Sequence, residues 1–212
     1  MNVNPMRRTL VVALLAAPLA AKTATALAQQ PRAYSEIKPP FPVENGGKIE
    51  VNEFFWYGCI HCYNLEPHLE GWTKRLPPDV EFRRVPAVFS NRLAHDAGIF
   101  YTFEAMGLLG KLHQPFFDAI HKDGLKTDNQ AALTDWLQKN GVDTKRFFDT
   151  LKSFGVQSKV RRAAQITVAS KIDGTPAMAV AGRYTVSAEQ GGSRDGMLKS
   201  VEQLVEMVRK QK

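Results

Sequence analysis

The stretch Glu53 to Pro67, EFFWYGCIHCYNLEP, restricts the possible folds of this chain more than any other. It contains both cysteines of the protein, Cys59 and Cys62, at Cys-x-x-Cys spacing. Phe54, Phe55, Trp56 and Tyr57 lead into the pair as a strand-like aromatic run. Beyond it, Leu65, Leu69, Trp72 and Leu76 recur at helical steps on one apolar face. The expectation is a strand over Lys48–Tyr57 and a helix from Cys59 to about Arg75, kinked at Pro67. A cysteine at the first turn of a helix faces unpaired backbone N–H groups and the positive end of the helix dipole, and both favour a thiolate.

Four uses of Cys59-Ile60-His61-Cys62 compete. Structural zinc needs four ligands, and His68, His95, His113 and His121 are scattered singly. Covalent haem attachment needs a histidine directly after the second cysteine, where Tyr63 stands. A purely stabilising disulfide across so short a loop would contribute about 2 kcal/mol, against about 3 for a 15-residue loop. A redox-active dithiol fits best, because exchange needs one stabilised thiolate and a partner thiol close by. His61 can add positive charge or an N–H donor, or else be a solvent-facing turn residue. Glu53 is either a buried acid able to exchange a proton with Cys62 or a solvated strand end.

The rest of the chain frames that motif. Arg7-Arg8, the apolar run Leu10–Ala21 and Ala26-Leu27-Ala28 read as a secretory signal peptide over 1–28, too short for a membrane span. Its three basic residues, Arg7, Arg8 and Lys22, take the formal charge from +7 to +4 on removal. No basic run is interleaved with aromatics, so nucleic acid is not an expected partner. Residues 29–47 form a proline-rich extended arm. Val80–Phe89 reads as a second strand.

Residues 91–171 then read as five helices: Leu93–Met106, Leu108–His121, Asp128–Asn140, Asp143–Phe154 and Gln157–Lys171. Their stops fall at Gly107, Gly124, Gly141 and Gly155, and a capping box is expected from Thr127 to Gln130. Asp173-Gly174-Thr175-Pro176 is a turn before a hairpin (Ala177–Ala181, Tyr184–Ser187) and a last amphipathic helix. The order βαβ, helices, ββα gives an α/β class with a central mixed sheet.

With EFFWYGCIHCYNLE, the helical block and GTPAMAVAGRYTV in hand, the chain resembles the DsbA-type thiol:disulfide interchange proteins. The resemblance implies a thioredoxin fold over 48–90 and 172–212, with an inserted helical domain over 91–171. It implies a Cys59–Cys62 disulfide in which Cys59 is the exposed nucleophile and Cys62 the buried resolving cysteine. It also implies that Thr175-Pro176 is a substrate-binding loop with a cis proline facing the dithiol, and that Glu53 is the buried acid. Without it, Thr175-Pro176 would read as an ordinary trans turn. Ile60 stands where the best-known members have proline, Thr175 where many oxidases have valine, and Pro67 is placed as in thioredoxin. Ile60 and Thr175 are therefore the expected redox-tuning positions.

The expected protein is a monomeric, exported, periplasmic oxidase of protein thiols, not itself membrane-spanning, needing no cofactor or metal beyond its cysteine pair. Its partners would be reduced, folding exported polypeptides, held on an apolar surface beside the site, and a DsbB-like membrane reoxidase. The alternatives are an isomerase or reductase using the same dithiol, or a peptide-binding chaperone on the same scaffold.

Overall fold

The computed structural model describes Met1 and residues 33–43 and 46–211; the expected signal peptide lies outside the described residues. In chain order the elements are β1 (Ser35–Glu36), β2 (Ile49–Phe55), α1 (Ile60–Tyr63), α2 (Glu66–Thr73) and β3 (Val80–Pro86). They continue with α3 (Asn91–Ala105), α4 (Leu109–His121), α5 (Gln130–Lys139), α6 (Thr144–Leu151) and α7 (Phe154–Ala169). The chain ends in β4 (Ala177–Val180), β5 (Tyr184–Ser187) and α8 (Arg194–Arg209).

The strands form one mixed sheet in the order β1-β5-β4-β2-β3. β2 runs parallel to β3, with Glu53 opposite Arg84, and antiparallel to β4, with Glu53 opposite Met178. All seven residues of β2 are buried, as expected of a strand covered on both faces. The extended arm adds its own short strand: Ser35 pairs with Thr185 and Glu36 with Tyr184.

Two apolar clusters flank this sheet. One gathers Ile49, Val51, Leu65, Leu69, Trp72 and Met178 with the buried face of α8 (Met197, Leu198, Val201, Leu204, Val205, Val208). The other joins Phe54, Phe55, Tyr57 and Cys62 to the helices α3–α7. Phe100, Phe103, Phe116, Phe117, Leu133, Leu137 and Phe147 are buried in this second cluster, with Trp136, Phe148 and Leu151 packed against it. Burial of each such Leu, Val or Phe stabilises the fold by about 1.5–3 kcal/mol, and Cys62 shares one core with the helical block.

Local chemistry corrects several expected boundaries. The helix after Cys59 is two helices, interrupted at Asn64–Leu65, with Pro67 in the first turn of the second. Proline lacks the N–H a continuous helix would need and its ring collides with the carbonyl four residues back, whereas a first turn accommodates it. The second strand ends at Pro86 rather than Phe89. Gly107 and Gly141, at φ 71° and 73°, follow α3 and α5 in the left-handed conformation that ends helices.

Gly155, however, lies inside α7, because Ser153 accepts a hydrogen bond from the Val156 amide and starts that helix at Phe154, three residues earlier than expected. Likewise Asn129, not Thr127, caps α5, accepting from the Ala132 amide. Thr127 instead donates to Asp96 at 2.5 Å.

Candidate functional site

Cys59 sits just before α1 in an extended conformation (φ −89°, ψ 113°), at the end of the helix where backbone amides are left free. Both cysteines are free thiols in this structure, Cys59 half-buried and Cys62 fully buried. A hydrogen bond from the Cys62 thiol is the largest cause holding the Cys59 pKa down to about 5, outweighing partial burial. The Thr175 side chain and the amides of Cys62 and His61 add to it. Cys62 is driven the opposite way, well above the ordinary thiol value, first by burial and then by the Cys59 sulfur and Glu53.

The turn before β4 closes the site from the far end of the chain. Thr175-Pro176 is a cis peptide, and the Cys59 thiol donates to the Thr175 carbonyl at 3.3 Å. His61, Thr175 and Pro176 line a cleft of about 750 Å³ that continues along Ser187 to Gln190. The His61 side chain is exposed, and its amide is the part that favours the Cys59 thiolate. Ile60 is 47% exposed, an apolar side chain standing in solvent within the dithiol motif itself.

Glu53 is fully buried, which removes the solvated-strand-end reading. Burial, with the Glu66 carboxylate next, pushes its pKa up to about 8 against the opposing pull of Arg84. Arg84 Nε lies 3.2 Å from Glu53 Oε2, yet neither carboxylate oxygen of Glu53 accepts a hydrogen bond.

Several partners of the site escaped sequence reasoning. Arg84 Nη2 donates to Glu66 Oε2 at 2.8 Å, and Glu66 Oε1 is 3.2 Å from His113 Nε2. His113 Nδ1 meets the Tyr57 hydroxyl at 2.9 Å. The helical block also grips the strand-to-helix loop: Trp56 Nε1 donates to buried Asp96 at 2.6 Å, and His121 Nε2 donates to the Tyr57 carbonyl at 2.8 Å. Tyr63 donates to Asp118 at 2.8 Å and stacks on His121. Nothing local marks these residues, since each partner lies between 18 and 64 positions away. Only a polar residue repeated on an apolar helix face, as at His113 and His121, hinted at them.

Among the described residues, no group of three or more His, Cys, Asp or Glu side chains could hold a metal ion, and no helix is long and apolar enough to cross a membrane. A mixed sheet whose buried strand delivers a dithiol to a helix start, opposite a cis proline, defines the thioredoxin-fold class of dithiol proteins.

Within that class, the model of the DSBA-like thioredoxin domain matches residues 80–200, and the chain belongs to that family. It is 41% identical over 201 residues to the thiol:disulfide interchange protein DsbA of Bordetella parapertussis, spanning 93% of this chain and 96% of that one. Its identity to the protein of the same name from Azotobacter vinelandii is 40% over 178 residues, covering 84% and 83% of the two chains. The crystal structure of Pseudomonas aeruginosa DsbA aligns with a TM-score of 0.81 at 37% identity, over 85% of this chain and 94% of that one.

Proposed function

We propose that the protein is a thiol:disulfide oxidoreductase that donates a Cys59–Cys62 disulfide to exported polypeptides as they fold. The opposed acidities of the two cysteines carry this reading: Cys59 is built to hold negative charge and Cys62 to refuse it. A client thiolate attacks the Cys59 sulfur and the Cys59–Cys62 bond breaks. Cys62 leaves with the electron pair and takes up a proton, for which buried Glu53 is the donor.

A second client thiolate then attacks the client's own sulfur in the mixed disulfide. The client gains a disulfide, and Cys59 leaves as the stabilised thiolate. Holding the Cys59 pKa down to about 5 stabilises that leaving group, which makes the disulfide more oxidising.

The cleft beside Thr175-Pro176 would hold the client as an added extended segment, with Ile60 offering apolar contact. Thr175 and Ile60 are the positions that tune release and poise. Two electrons must leave the reduced dithiol in each cycle, and a DsbB-like membrane partner is the acceptor. This reading places the protein's action in the periplasm, with the cysteine pair as its redox group.

The deciding experiment follows oxidation of a reduced multi-cysteine client by the purified protein, with its redox equilibrium measured against glutathione. Activity retained after Cys59→Ser would overturn the enzyme reading. A potential close to that of thioredoxin would replace the oxidase by a reductase.

A further inference from the structure

Behind the dithiol, Glu53 and Glu66, which are 0% and 6% exposed, share one guanidinium. Two buried carboxylates facing a single positive charge cannot both ionise cheaply, so one of them holds a proton. Arg84 alone does not decide which, because it reaches both acids, at 3.2 Å and 2.8 Å.

The asymmetry comes from His113. Its Nε2 lies 3.2 Å from Glu66 Oε1, giving Glu66 a second partner where Glu53 has Arg84 alone. The ring is kept neutral by burial among Phe55, Phe100 and Phe117. A neutral imidazole donates from one nitrogen only. With Nε2 as that donor, facing the Glu66 carboxylate, Nδ1 is left to accept from the Tyr57 hydroxyl at 2.9 Å.

We propose that His113, held by Tyr57, assigns the proton shared by the two buried carboxyls to Glu53 rather than to Glu66, and is thereby a positioning residue for the proton Cys62 exchanges. The inference rests on the dithiol reading above only in making that proton the one Cys62 takes. The groups facing this centre are Cys62 from α1, Tyr57 from the loop after β2, Glu66 from α2, Arg84 from β3 and Asp96 from α3, the last acting on Tyr57. With Glu66 held ionised by two donors, Glu53 has only the 3.2 Å Arg84 ion pair against its charge, and it keeps the proton.

Carboxyl carbon NMR of the reduced, full-length mature protein tests the placement directly and needs no turnover, so it stands or falls separately from the oxidase reading. In the native protein Glu53 should titrate near 8 and Glu66 below the ordinary carboxyl value. In His113→Asn the shorter amide can still meet Tyr57 but cannot reach Glu66. The Glu53 midpoint should then fall by about one unit or more while that of Glu66 rises. His113→Gln places an amide donor where Nε2 was and should restore both.

The pH profile for attack of Cys62 on a mixed disulfide between Cys59 and glutathione should move with the Glu53 midpoint. Native midpoints retained in His113→Asn would overturn the assignment, as would identical shifts in the Asn and Gln variants. If either variant fails to fold, Tyr57→Phe must lower the Glu53 midpoint by a smaller amount. An unchanged midpoint there overturns the proposal equally.

Discussion

The rim of the site and the pocket behind it treat negative charge in opposite ways. At the rim, Cys59 lies against free helix amides and the Cys62 thiol, and charge there is stabilised. In the pocket, Glu53 has lost water and gained no hydrogen bond, and charge there is penalised. The difference is in backbone exposure. A helix start supplies donors at no cost, whereas the amides of β2 are committed to its two neighbouring strands. An acid placed in that strand must find side-chain partners or keep its proton.

The contrast can be broken most severely at the sulfurs. In the reduced protein at pH 7, Cys59 should be alkylated at least about a hundredfold faster than Cys62, because only thiolates react and burial shields the second sulfur. The Cys59 rate should show a midpoint near 5. Equal labelling would erase the distinction.

Next in size is Glu53→Gln. The folded pKa near 8 lies above the unfolded value of 4.5, so between them the unfolded chain binds fewer protons and native stability falls as pH rises. Chemical denaturation should find the variant more stable by about 1–3 kcal/mol at pH 8 and no different at pH 4. A gain that persists at pH 4 would mean the effect is packing, not charge.

A smaller effect is the slope of the redox potential. Reduction takes up one proton where Cys59 remains a thiolate, so the potential should fall by about 30 mV per pH unit above pH 5 and about 59 mV below it. A uniform steep slope would mean that Cys59 is protonated throughout. The finest adjustment is Thr175→Val, which removes the side-chain hydrogen bond to Cys59 and should raise the alkylation midpoint by less than about one unit.

The two regions also differ in how far they could be read in the sequence. The rim is local: the aromatic strand, Cys59, Cys62 and the helices after them lie between Ile49 and Thr73, and hydrophobic periodicity orders them. Glu53 was visible because a carboxylate in an apolar strand has few places to go. Thr175-Pro176 was readable only through family resemblance, since a turn motif carries no sign of cis geometry or of what it faces. The pocket is assembled from β2, α2, β3 and α4, and its members look ordinary in place. Glu66 resembles a first-turn acid, Arg84 one of two strand arginines, and His113 a stray histidine on an amphipathic helix. Only tertiary packing turns them into one charge system. Asp96 escaped for the same reason, since its partners Trp56 and Thr127 are 40 and 31 residues away.

The indole of Trp56, tethered to Asp96, lies where any side chain at position 58 would have to go, so a Cβ on Gly58 would run into its ring. These two positions are therefore a single unit of evolutionary change. A lineage that keeps tryptophan at 56 is confined to glycine at 58, and one that trades the indole for a smaller side chain is released at both positions together. Variation between the strand and the dithiol should thus come in pairs, and a library randomising the two sites jointly should recover folded sequences that single-site scanning misses.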